Sequence, residues 1–400
     1  MPRSHPTIVF TLFLVVFLDL VGFGMIIPVF PFYAERIGVS PSAVIFFIGL
    51  YSAGQLLGAP LWGSLSDRIG RRPVLLFTLV ANTVSTWLLA YADTGLTLAL
   101  SRVVAGLAAG NISTAYAYTT DITTDATRPK ALGLLGAAFG MGFILGPALG
   151  GLLAGGTDEN TASLTRVAHT AAILSLAALV LTALRLPESL PPEKRRQPHA
   201  PRLSPAVFLS RPALRGLLTA TFVVISAVAL MQSALALFSA ERLGVGPRML
   251  GWIYAFSGAV SVAVQAGVIG RLTARFGARR LAVTGVVLVA IGMAGIPPAS
   301  TIPFLLVSLA VFSIGSALFN PSISGLVAAA AQPHERGGVL GAYQAASSLG
   351  RVVGPVLGSG VASLAGLGAP FVLGAAICLG GLIFVARDTR QAKSETAAGS

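Results

Sequence analysis

The sequence predicts an all-α membrane protein: twelve transmembrane helices in two parallel six-helix halves. Three observations carry that expectation. Hydrophobic residues make up 54% of the 400 residues and charged residues only 10%, against roughly 25% charged in soluble chains; the mean hydropathy is +0.82. Apolar runs punctuated by Gly, Pro or charge recur along the whole chain, each near the roughly 20 residues that cross a bilayer as a helix. The chain also repeats itself at an offset that drifts slowly along its length.

The expected spans lie near 7–31, 42–64, 73–92, 95–119, 131–155, 166–186, 213–239, 248–269, 280–298, 302–326, 337–362 and 368–386. The first is too long for the core of a secretory signal, and no A-x-A cleavage site follows it, so it reads as a membrane helix. Residues 34–39 (AERIGV) recur as 240–245 (AERLGV), and 63–70 (GSLSDRIG) as 270–277 (GRLTARFG). Gly146 and Pro147 recur as Gly354 and Pro355; Asn111 and Ser113 recur as Asn320 and Ser322. A register that shifts by only one or two residues from segment to segment means duplicated halves, and six spans per half give both the same orientation. The expected organisation is an N-terminal bundle over 1–186, a polar, Pro-rich cytoplasmic linker over 187–212, a C-terminal bundle over 213–386 and a cytoplasmic tail over 387–400.

Charge sets the topology. Of the 27 Lys and Arg, Arg36, Arg166, Arg242 and Arg248 fall in outer segments, Arg102 and Arg351 fall inside spans, and the remaining 21 fall in the segments on the side of the N-terminus. That bias puts both termini in the cytoplasm and makes the chain a multi-pass protein of the inner (plasma) membrane. It also accounts for the net charge of +13 without a nucleic-acid partner. Cys378 is the one cysteine, which excludes an internal disulfide and a Cys-based metal site. The four histidines show no metal-ligand spacing, no G-x-x-x-x-G-K-S/T phosphate loop appears, and no nucleophile constellation is visible. The expectation is a non-enzyme without metal or cofactor, monomeric in the lipid bilayer.

Asp19 is the one carboxylate expected well inside a span, about 18 Å from its start at about 1.5 Å per residue. An ionised carboxylate at that depth costs at least ~2.5 kcal/mol without a partner or water, so a carboxyl there suits a group that takes up and gives away a proton. Arg102 in span 4 is a candidate partner or an arginine snorkelling to the interface. Arg351 in span 11 reads as packing or function equally. Phe23, Asn82, Asn111, Tyr116, Gln232, Gln265, Asn320 and Gln344 are the polar or aromatic residues that would line a substrate cavity or tie helices together at about 0.6 kcal/mol per hydrogen bond.

Residues 63–73 (GSLSDRIGRRP) resemble the cytoplasmic loop between helices 2 and 3 of the major facilitator superfamily. Two glycines allow a tight reversal, and Arg68, Arg71 and Arg72 hold the loop on the anionic leaflet. The resemblance implies that Asp67 caps the start of span 11, near Gly337. Residues 142–151 (GFILGPALGG) in span 5 give a smooth small-residue face from Gly142, Gly146, Gly150 and Gly151, with a kink at Pro147. They resemble the signature of proton-coupled drug exporters. Arg102 sits four residues after Leu98 and four before Gly106, resembling the family's helix 4 motif, whose arginine is linked to proton transfer.

Residues 117–123 (AYTTDIT), 186–189 (LPES) and 18–28 (LDLVGFGMIIP) are similar to the tetracycline efflux branch of the drug:proton antiporters, which implies that Asp121 joins Asp67 and Arg68 in a gating charge cluster. Two departures separate the chain from the better-known tetracycline exporters. Ser85 stands where they carry an acid in helix 3, and no acid lies between Arg280 and Ser300. The resemblance therefore implies a proton-coupled antiporter exporting small amphipathic compounds by alternating access, through multidrug or tetracycline-like efflux. The alternatives are an uptake symporter or sugar-efflux member of the same fold, or a non-transporting sensor or assembly scaffold.

Overall fold

The computed structural model describes residues 6–124, 127–155, 162–195, 211–331 and 336–398, and each of the twelve expected spans is helical there. The first span comprises α1 (Pro6–Ile26) and α2 (Phe30–Arg36). The break falls at Pro28, which has no N–H to donate, and the flanking bonds tighten to Ile27 N–H on Gly24 O and Val29 N–H on Ile26 O. Then come α3 (Pro41–Ile69), α4 (Arg71–Leu89), α5 (Gly95–Ala108) with α6 (Asn111–Ile122) as the fourth span, α7 (Arg128–Ala154) and α8 (Ala162–Arg185). A short 3-10 turn, Pro192–Lys194, follows; the rest of the linker, 196–210, lies outside the described residues. The second half holds α9 (Pro212–Leu243), α10 (Pro247–Gly267), α11 (Ile269–Phe276), α12 (Ala278–Ala294), α13 (Ile302–Ala329), α14 (Arg336–Ala365) and α15 (Ala369–Ala398).

Local signals explain several starts. Ser40 caps α3 by accepting from Ala43 N–H, with Pro41 in the first turn. Thr94 and Thr97 form a reciprocal capping box at the start of α5.

One expectation needs correction. The motif 63–73 is mostly not a loop: α3 continues through it to Ile69, so Gly63 is helical. The reversal is confined to Gly70, whose φ of +110° only glycine adopts readily. The repeat does the same at Gly277, with φ +79°, where α11 and α12 meet at 117°. By analogy with α3, α11 is the tail of the eighth span, and the ninth is α12 alone. At 17 residues α12 is at the short limit for a span, which is why ten helices among the described residues are long and apolar enough to cross a membrane, or eleven counting the bent pair. The apolar part of the twelfth, Ala369–Phe384, is also short. Helix α7 runs from Arg128 to Ala154 with Pro147 inside it. Helix α15 runs on as far as Ala398, into the segment expected as the tail.

The chain divides into two compact units, Met1–Pro198 with Ser239–Phe256, and His199–Phe238 with Ser257–Ser400. In the first unit α1 packs on α7 and α8, α3 on α5, and α4 on α8 and α5. Its core runs from Leu12, Val15, Val16 and Leu20 of α1 to Leu75 and Leu79 of α4 and Tyr118 of α6. In the second unit α12 packs on α13 and α15.

Candidate functional site

Asp19 lies thirteen residues into α1, about 20 Å along it. Three neutral side chains from three other helices converge on its carboxylate. Asn82 of α4 donates to Oδ1 at 2.8 Å, Asn111 at the start of α6 donates to Oδ2 at 3.3 Å, and Ser175 of α8 donates to Oδ1 at 3.4 Å. Asn82 also donates to the Ser175 hydroxyl at 3.3 Å. Among the described residues no Lys, Arg or His reaches this carboxylate. The arrangement satisfies the oxygens in either protonation state, since Asn and Ser hydroxyl oxygens can also accept from a carboxylic acid proton. Asn82 and Asn111, expected to line a cavity, are thus partners of Asp19. Ser175 carried no sequence signal; it is one small polar residue in an apolar span.

Arg102 is not Asp19's partner, nor does it snorkel. It is 5% exposed, with its guanidinium carbon 5.1 Å from the centre of the Phe30 ring and Nε 3.4 Å from the Ser101 hydroxyl. Ser85 of α4 spans the neighbouring gap by donating to Ser101 O at 2.9 Å.

A second constellation closes the end of the first unit where α3 turns into α4. Arg71, at the start of α4, is buried and donates to the Ser66 hydroxyl (2.6 Å), Asp67 (2.5 Å) and Asp121 of α6 (3.1 Å). Arg71 rather than Arg68 is the cation of the cluster; Arg68 is exposed at the end of α3. Arg72 donates to Ala183 O of α8 at 2.7 Å. The segment after α8 locks onto the same place. Glu188 accepts from the N–H groups of Arg71 (2.9 Å) and Arg72 (3.3 Å), capping the positive end of α4. Ser189 donates to Asp121 at 3.1 Å, and Tyr118 donates to Pro187 O at 2.6 Å. A Cβ on Gly70 would overlap the Glu188 carboxylate. The residues 186–189 were legible only as a resemblance. A carboxylate following span 6 is the sole signal for Glu188, and the helix end it caps lies 117 residues away.

The small-residue face of α7 permits close approach to α1. A Cβ on Gly142 would lie 2.7 Å from that of Leu20, one on Gly146 would lie 2.8 Å from the Cα of Gly24, and one on Gly150 would overlap the backbone of Met25. Gly151 faces the start of α10, where its Cβ would lie 2.9 Å from the Cα of Gly251. Phe23 stacks on Tyr51 with centroids 4.7 Å apart, and Tyr116 on Phe139 at 6.4 Å. In the second unit Asn320 donates to Ser316 at 3.3 Å and Arg351 to Ser348 at 3.2 Å, while Gln232, Gln265 and Gln344 are exposed.

Comparison with known proteins agrees with this architecture. The family model described as Major Facilitator Superfamily matches residues 12–273 and 217–400. The class C tetracycline resistance protein of Escherichia coli is 30% identical, over 90% of this chain and 92% of its own. Multidrug resistance protein 2 of Bacillus subtilis is 28% identical, over 89% of each. The crystal structure of the human organic anion transporter MFSD10 (TETRAN) superposes with a TM-score of 0.70 at 25% identity, covering 95% of this chain and 99% of that one. This multi-pass chain belongs to the major facilitator superfamily, whose members are transporters of small-molecule substrates.

Proposed function

We propose that the transporter is a proton-coupled antiporter that exports small amphipathic compounds across the plasma membrane, with both termini in the cytoplasm. The observation that carries the proposal is Asp19: a half-buried carboxylate between α1, α4, α6 and α8, held by neutral donors and, among the described residues, without a fixed counter-charge. Such a group changes the charge of its surroundings by one unit on protonation, and a change of that kind biases a two-state equilibrium between inward- and outward-facing forms. Protonation from outside and release to the cytoplasm then alternate with substrate binding. A membrane potential contributes about 2.3 kcal/mol per charge per 100 mV, with the pH gradient in addition.

Antiport rather than uptake is favoured by the α7 motif, whose glycines permit backbone contact with α1 and the start of α10, and by the resistance proteins among the relatives. The Asp67, Arg71 and Asp121 cluster, together with Arg68 and Arg72, serves in this reading as the cytoplasmic latch. Reconstitution into liposomes with an internal pH-sensitive dye tests the proposal. Substrate-dependent proton movement, screened with cationic and anionic dyes, supports it. Transport without proton movement leaves a uniporter, and no transport of any compound leaves a non-transporting scaffold.

A further inference from the structure

Arg102 raises a question that neither the proton site nor the latch answers. A guanidinium stays charged at any physiological pH, and holding it inside a helix bundle is unfavourable unless something compensates the charge. Its surroundings compensate little. Phe30 offers a ring face at 5.1 Å, a cation–π attraction weaker than an ion pair. Ser101 gives one long hydrogen bond at 3.4 Å, and the Tyr51 hydroxyl interacts with the guanidinium electrostatically. Nη2 is buried with no hydrogen-bond partner, and no carboxylate among the described residues pairs with the group. Asp19, the acid inside α1, is fully engaged with Asn82, Asn111 and Ser175. Beside Arg102, Tyr51 is stacked against Phe23, which lies one helical turn from Asp19 on α1.

We propose that Arg102 receives the anionic group of the substrate, a carboxylate or sulfonate carried on a flat aromatic body that lies along Tyr51 and Phe23. The free edge of a guanidinium is suited to a planar anion, to which it donates two parallel hydrogen bonds. The aromatic pair supplies the apolar contact between that anchor and the turn of α1 that carries Asp19. This deepens the transporter reading and rests on it: the exported compounds include organic anions and zwitterions.

The test uses full-length protein purified in detergent, with carboxyfluorescein as the anionic probe and rhodamine 6G as a cationic probe of similar ring system, both followed by fluorescence anisotropy. Losing a hydrogen-bonded charge partner weakens binding roughly ten- to hundredfold. Arg102→Gln is therefore expected to weaken carboxyfluorescein by that factor and to leave rhodamine 6G within twofold. Arg102→Lys, which keeps the charge and loses the planar donor pair, is expected to fall between wild type and Arg102→Gln. Should Arg102→Gln elute as aggregate, the lysine variant carries the test, with carboxyfluorescein weakened severalfold and rhodamine 6G unchanged. Equal loss of both probes in a variant that elutes as the wild type does, no loss of either, or wild-type protein that does not bind carboxyfluorescein overturns the site. Rhodamine-dependent proton movement in liposomes is read separately: if it persists while the carboxyfluorescein result fails, the anion site is wrong and proton-coupled transport stands.

Discussion

Replacing Glu188 asks whether the segment after α8 holds the turn between α3 and α4. The carboxylate accepts from the N–H groups of Arg71 at 2.9 Å, Arg72 at 3.3 Å and Leu190 at 3.0 Å. Glu188→Ala removes every acceptor and a negative charge from the N-terminus of α4. Hydrogen bonds at about 0.5–1.5 kcal/mol each, plus about 0.3–1 kcal/mol for the charge, bound the loss between about 2 and 5 kcal/mol. The side chain is 24% exposed, so water reaches part of the freed backbone and the loss falls at the lower end, about 2–3 kcal/mol. Glu188→Gln keeps one carbonyl acceptor, for Arg71 and Leu190, and loses the Arg72 bond together with the charge, for about 0.8–2.5 kcal/mol. The contact with Arg195, at 3.7 Å and partly exposed, adds less than about 1 kcal/mol. Thermal unfolding of the purified protein, followed by tryptophan fluorescence at one fixed scan rate because such transitions are rate-governed, is expected to rank wild type above Glu188→Gln and Glu188→Ala lowest. An alanine variant that melts with the wild type refutes the clamp. A glutamine variant as unstable as the alanine refutes the hydrogen-bond accounting and assigns the effect to charge alone.

Arg71→Lys cannot reach Ser66, Asp67 and Asp121 together and is expected to lose about 1.5–3 kcal/mol, while Arg68→Ala stays within about 0.5 kcal/mol; the same melting assay reads both. Asp67→Asn is expected to raise the inward-facing fraction two- to thirtyfold, from a loss of about 0.3–2 kcal/mol on removing its charge from the latch, read by cysteine labelling from each face in a Cys378-free background; an unchanged labelling ratio removes Asp67 from the latch. Gly150→Ala drives a Cβ into the backbone of Met25 and is expected to abolish well-folded expression, whereas Gly136→Ala, with nothing within 4 Å, is neutral or stabilising by up to about 1 kcal/mol; size-exclusion profiles separate the two.

Much of this was legible from the chain because bilayer length and apolar composition dictate helices directly. The drifting repeat likewise has a structural counterpart in the matched turns at Gly70 and Gly277. Asp19 stood out because a carboxylate is rare at that depth. Its partners did not, since Asn82, Asn111 and Ser175 become one site only when α4, α6 and α8 pack around α1. Arg102 misled for the same reason: a lone arginine and a lone aspartate invite pairing on paper, yet the bundle places Arg102 against Phe30. The motif at 63–73 reads as a loop from its resemblance and its two glycines, but Arg71 folds back on Asp67 and Asp121 and α3 runs on to Ile69. Arg68 and Arg71 are both arginines in a basic run, and nothing in the sequence ranks them.

The central claim is that the proton couples through Asp19. Asp19→Asn keeps the shape and the contacts with Asn82, Asn111 and Ser175 while removing the titrating proton. Wild-type and variant proteoliposomes, loaded with a pH-sensitive dye and given an exported dye as substrate, are compared for proton flux per substrate moved and for substrate exchange without a gradient. The account predicts that Asp19→Asn retains binding and gradient-free exchange and loses substrate-dependent proton flux. Proton flux at the wild-type ratio in the Asp19→Asn protein would contradict it and move the coupling site to Glu35 and Glu241, the acids near the outer ends of the first and seventh spans.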